Sequence, residues 1–229
     1  MWLVSIILFA SFAEAPLPSY EAVVSVRAWH RVNHLMEQAT HLAVDEAVPT
    51  GTLGPESTAK YEEAMTYAKD FEREVMETAG LAYLQGLIWR EMNETTKAEA
   101  ALRRSLQLDP DGVDAWYDLG EVLTTKDALM EAASCFQQVS RLLPTGPDSW
   151  RGPLKEAEVA AMRGDGIQFE QGIREALRRG FSLQMIRGHE NWKHYYRDPA
   201  LHNHVDKLIR IFGDDALLQS LQEKNKPGK

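Results

Sequence analysis

Three histidines, His30, His34 and His41, stand four and seven residues apart, with Glu37 between them and Asp45 just beyond. At about 100° per residue a helix brings the three imidazoles within about 40° of one another. Two neutral imidazoles on successive turns beside a carboxylate are a chemically reasonable site for zinc or copper. The opposite face would carry Val26, Trp29, Val32, Met36, Ala39 and Ala43, leaving the histidines at the centre of the polar side. A lone exposed helix also lacks the supporting hydrogen bonds that fix ring tautomers. The expectation is therefore a solvated or partner-contacting stripe. A second cluster, His189 to Tyr196 with His202 and His204 beyond, invites a metal or stacking interpretation. Trp192 and Tyr196, four apart and followed by Asp198-Pro199, fit instead an aromatic helix face that closes a hydrophobic stack.

The single cysteine, Cys135, follows Ala132 by three and precedes Phe136, a spacing for the apolar side of a helix and a buried thiol. With no partner it forms no intramolecular disulfide, and it stands too far along the chain for a lipid anchor. Asn93-Glu94-Thr95 matches a glycosylation acceptor, relevant only in an exported protein of a glycosylating organism. There is no Gly-rich phosphate loop, nucleophile elbow, paired-cysteine knuckle or HExxH. Neither an enzyme nor a cofactor is expected. The alternative is a metal-binding or catalytic helical protein using His30, His34 and His41 or the C-terminal His and aromatic cluster.

Composition bounds what carries these residues. The 229 residues are 44% hydrophobic and 26% charged, which excludes wholesale disorder and a polytopic membrane protein. Asp plus Glu is 34 against 25 Lys plus Arg, a net charge of −9 that opposes polyphosphate, so no nucleic-acid partner is expected. Residues 2–12 are apolar and run into Ala13-Glu14-Ala15, a small-x-small pattern that predicts cleavage after Ala15 and a periplasmic or secreted chain beginning at Pro16. The run is too short for the roughly twenty residues of a membrane span. No Lys or Arg precedes it, so an N-terminal helix packed on the body of a cytoplasmic protein is the other possibility.

The centre of the chain repeats itself at a shift of 34 residues. Tyr83 maps to Tyr117, Gly86 to Gly120, Ala98 to Ala132, Leu102 to Phe136, Leu108 to Leu142 and Pro110 to Pro144. Glycine and alanine allow close helix approach, the larger residue fills the gap, and proline stops the second helix of each unit. The unit Trp116-x2-Leu119-Gly120, Ala132-x3-Phe136, Pro144 resembles a tetratricopeptide repeat (TPR). That resemblance implies an all-α solenoid of helical hairpins, superhelical, with a concave side.

It covers two good units, 79–112 and 113–146. Unit 147–180 is degenerate, keeping Trp150 but carrying Pro153 early and its later landmarks three residues late, at Phe169, Ile173 and Ala176. Before them, residues 16–78 predict a long helix around Tyr20 to Ala47, a turn over Pro49 to Pro55, and a second helix capped by Ser57 or Thr58. Residues 181–223 resemble the short helices that close bacterial arrays, and 224–229 should fray.

In a TPR array the first helix of each unit lines the groove. The resemblance assigns Tyr83, Leu87 and Arg90, then Asp114, Tyr117, Asp118 and Glu121, then Arg151 and Lys155 to that surface. Tyrosines and acids there would hold a basic or amide-rich segment of a peptide or protein partner. The Lys, Asn and Arg with which one TPR subclass clamps a terminal carboxylate are missing: the matching positions hold Tyr83, Leu87, Asp118, Asp148 and Gly152.

Overall fold

The computed structural model describes residues 19–46, 52–187 and 189–222. Among them are eleven α-helices and no strand: α1 Tyr20–Asp45, α2 Pro55–Glu74, α3 Ala79–Glu91, α4 Thr95–Leu108, α5 Val113–Thr125, α6 Leu129–Leu142, α7 Arg151–Met162, α8 Gly166–Arg178, α9 Glu190–Arg197, α10 His202–Phe212 and α11 Asp215–Gln222, with a 3-10 turn at Leu183–Ile186. Helices pair as α1 with α2, α3 with α4, α5 with α6 and α7 with α8, and the pairs stack through α4 on α5 and α6 on α7. The chain is an all-α solenoid of helical hairpins. The cleavage pattern at residues 1–15 and the tail 224–229 lie outside the described residues, as does most of the turn between α1 and α2.

Two glycines set how closely each hairpin closes. A Cβ on Gly120 would sit 2.6 Å from the Phe136 ring, and one on Gly86 would sit 2.7 Å from Cγ of Leu102. Leu102, Leu119 and Phe136 are fully buried around these seams. In the third hairpin the small residue changes sides: a Cβ on Gly172, on the second helix, would sit 2.9 Å from Ala157 and from the Pro153 carbonyl of the first. Pro110 and Pro144 follow the ends of α4 and α6 by two residues, as expected of stops.

A further repeat appears only in the backbone. Asn93 and Asp127, 34 apart, both have φ of 59°, and Gly164 follows with φ of 70°. Each ends the first helix of its hairpin in left-handed conformation. The next amide then closes a six-residue loop: Glu94 N–H on Trp89 O, Ala128 on Leu123, and Asp165 on Ala160, at 2.8, 2.9 and 2.9 Å. Asparagine and aspartate tolerate this region best among residues with a side chain.

Three expectations need correction. The second helix is not capped by Ser57 or Thr58. It starts at Pro55; the Thr58 hydroxyl donates back to the Gly54 carbonyl at 2.7 Å, and the Ser57 hydroxyl donates to the Glu46 carboxylate at 2.5 Å. Glu46, just past α1, reaches over to accept from the Glu56 amide at 2.6 Å and the Ser57 amide at 3.3 Å, a carboxylate placed at the positive end of the helix. Next, the buried face of α1 runs through Ala28, Val32, Leu35 and Ala39, while Val26 is 56% exposed because it falls outside that stripe. Finally, the aromatic face of α9 is Trp192 with Tyr195, three apart and both buried. Tyr196 lies at the margin, its hydroxyl accepting from Gln222.

Candidate functional site

The first helices α3, α5 and α7 lie next to one another along the stack and join through their polar side chains. Tyr83 donates to Asp118 Oδ2 at 2.7 Å, and Arg90 pairs with Oδ1 of the same carboxylate. One repeat on, the Arg151 guanidinium lies over the Tyr117 ring, 4.4 Å from its centroid. Lys155 binds Glu121 across the helix boundary at 3.1 Å and Glu158 on its own helix at 2.9 Å. Arg151, Lys155 and Glu158 stand four and three apart, so one face of α7 presents all three.

Burial and charge act against each other here. Burial together with the Asp118 carboxylate pushes the Tyr83 phenol well above its ordinary range, so it stays a proton donor. Burial disfavours the Lys155 ammonium, but Glu158 and Glu121 outweigh it and hold the cation firmly protonated. Arg90 is likewise desolvated, yet Asp118 and Glu91 raise its affinity for the proton.

Seven of the nine residues assigned from the sequence are thus drawn into four contacts between neighbouring first helices. The other two differ. Leu87 packs toward the core formed with α1 and α2, and Asp114 is exposed. Asp118 was expected to face a ligand; instead it is 9% exposed and its two oxygens are engaged by Tyr83 and Arg90. Glu158 was not assigned, although its spacing of seven from Arg151 marks it. Nothing local in the sequence marks the cavity of about 180 Å³ next to it, where α7 meets Phe181, the 3-10 turn and Trp192.

Other candidates fall elsewhere. His30, His34 and His41 are exposed on α1, and His34 lies 3.0 Å from the Gln38 amide nitrogen. Among the described residues no three His, Cys, Asp or Glu side chains gather as metal ligands would. In the C-terminal cluster His202 bonds the Tyr196 carbonyl at 2.7 Å, whereas His204 binds Glu170 at 2.8 Å and ties α10 to α8. Cys135 is buried, and burial raises its thiol to about 11. A cleft of about 630 Å³ opens between the second helices α6 and α8, away from the first-helix face. Its floor carries Glu156, which burial makes harder to ionise while Ser140 donates to it.

No protein-family model matches the sequence, and no curated protein matches it. Among solved structures the chain is similar to the crystal structure of MamA, at 18% identity over 69% of this chain and 84% of that one, with a TM-score of 0.50. It is similar to BtubC from P. vanneervenii at 9% identity, over 93% of this chain and 96% of the other, with a TM-score of 0.54. It also matches YrrB, a TPR protein with an unusual peptide-binding site, at 17% identity over 82% and 89% of the two chains, with a TM-score of 0.48. With stacked helical hairpins, glycines facing large side chains across two seams, and a likeness to MamA, the chain has the tetratricopeptide-repeat fold.

Proposed function

We propose that this protein is an interaction scaffold that holds a basic or amide-rich polypeptide segment along the face made by α3, α5 and α7. One observation carries the reading: three cations, Arg90, Arg151 and Lys155, are surrounded there by six acids, Glu91, Asp114, Asp118, Asp148, Glu121 and Glu158. The surplus is negative, and Asp114 and Asp148 are exposed to meet a ligand. Tyr117 and Tyr83 add rigid contact area. The same surplus, with the net charge of −9, disfavours nucleic acid as a partner. A binding role rather than a catalytic one fits a face whose ionisable groups are committed to each other. Titration calorimetry with a lysine-rich and a glutamate-rich synthetic peptide tests this. The lysine-rich peptide should bind and lose at least about tenfold in affinity to Asp114→Lys with Asp148→Lys; preference for the glutamate-rich peptide would refute it.

The same proposal places the mature chain outside the cytoplasm, after cleavage behind Ala15. No helix among the described residues is long and apolar enough to cross a membrane. N-terminal sequencing of protein from its host should begin at Pro16, whereas an intact Met1 on cytoplasmic protein would contradict export.

A further inference from the structure

We propose that the cavity between α7 and the C-terminal helices is an anchor pocket for one bulky apolar side chain of the bound segment, a phenylalanine or leucine flanked by basic residues. The inference rests on the scaffold reading above and adds a specificity element to it.

The pocket is walled by Trp150, Leu154, Phe181, Met185, Ile186 and Trp192, with Glu158 and His189 as its two polar side chains. It lies between α7, the 3-10 turn and the start of α9. Glu158 lines the pocket and is tied through Lys155 to Glu121 of α5, so the pocket continues the acidic face. Leu154 and Glu158 are one turn apart on α7, which puts the apolar wall beside the last carboxylate of the row. Its volume of about 180 Å³ equals roughly six waters at about 30 Å³ each, room for one large side chain.

The lining decides what enters. Trp150 and Phe181 pack against each other, ring centroids 5.4 Å apart and planes tilted by 34°, instead of standing apart as the walls of a cation cage. Glu158 at the rim is already held by Lys155 at 2.9 Å. The interior therefore favours an uncharged group. Met185 is 53% exposed at the mouth and covers the pocket only in part. Charge complementarity fixes the flanks, because Asp114 and Asp148 stand exposed around Arg151 on the same side of the stack. Tight registry then comes from the anchor and long-range attraction from the acids.

The test uses fluorescence anisotropy of the full chain with three labelled peptides: alternating lysine and glycine around one phenylalanine, the same with alanine in its place, and the phenylalanine peptide with glutamate for lysine. Burying a phenylalanine is worth about 1.5 to 3 kcal/mol, so the first peptide should bind at least about tenfold tighter than the second. It should exceed the third by a similar factor. Met185→Arg, at a half-exposed position, should abolish the preference for phenylalanine over alanine with the melting temperature unchanged. Equal binding of the two lysine peptides overturns the pocket and leaves the scaffold reading standing. A preference that survives Met185→Arg also overturns the pocket. Failure of both lysine peptides to bind overturns pocket and scaffold together, and equal binding of the glutamate peptide overturns the basic flanks.

Discussion

Tyr83 and Asp118, on the first helices of consecutive repeats, share a hydrogen bond of 2.7 Å, and the carboxylate's other oxygen takes Arg90. Asp118 is thereby a cross-repeat clamp. Removing Asp118 takes the acceptor from the half-buried Tyr83 hydroxyl and leaves Arg90 with Glu91 alone, a larger loss than the pair's own worth. Asp118→Ala should lower stability by about 1 to 3 kcal/mol, toward the low end because Arg90 is partly exposed and rehydrates. Urea unfolding of Asp118→Ala, Tyr83→Phe and the double variant measures the coupling between them. Strictly additive effects would show that the bond contributes nothing.

Gly120 is where α5 and α6 touch. Gly120→Ala puts a methyl 2.6 Å from the Phe136 ring, and the buried ring must move or the helices separate. A loss of about 1 to 3 kcal/mol is expected from overpacking, partly offset by the helix propensity that alanine gains over glycine. A melting temperature equal to that of the parent would mean that the seam is not as close as described.

Cys135 should be unreactive while the chain is folded. Its thiol, raised to about 11 by burial, holds almost no thiolate at pH 8. A disulfide reagent should label it at the rate of unfolding and label it fully in urea. Rapid stoichiometric labelling of native protein would contradict its burial.

Glu170 joins α8 to α10 through Lys207 and His204 and also binds Arg174 on its own helix. Hydrogen bonds from Lys207 and His204 hold its carboxyl down from 4.5 to about 2. A depressed carboxylate stabilises the fold above its unfolded value and loses that contribution as pH falls toward the folded one. The link should therefore weaken between about pH 4.5 and 2, by about 1 to 2 kcal/mol after discounting for its exposed cationic partners. Glu170→Gln should remove that part of the acid dependence; an unchanged acid transition would show the link to be idle.

The hairpins were legible because their seam residues recur at a fixed spacing and each has a packing reason: Gly86 faces Leu102 and Gly120 faces Phe136. The third hairpin was only partly legible, since its glycine moves to the second helix and breaks the pattern. Asn93 and Asp127 share the same 34-residue spacing but differ in residue type, so their common left-handed turn shows in the backbone alone. On the first-helix face, helical period marks Arg151 and Lys155 as neighbours, and the 34-residue repeat sets Glu121 level with Lys155. It does not tell whether Asp118 faces solvent or another side chain, because that depends on the length and rotamer of Arg90 one repeat away. The pocket beside α7 is assembled from residues up to some forty positions apart, and no local pattern encodes it.

The central claim is that partners are held on the first-helix face and not in the cleft between α6 and α8. A photo-crosslinking benzoylphenylalanine at Asp114, exposed on the first-helix face, or at Gln137, exposed at the rim of the cleft, locates a bound lysine-rich peptide directly. Crosslinking from position 114 and none from position 137 is the result predicted; crosslinking from 137 alone would contradict it.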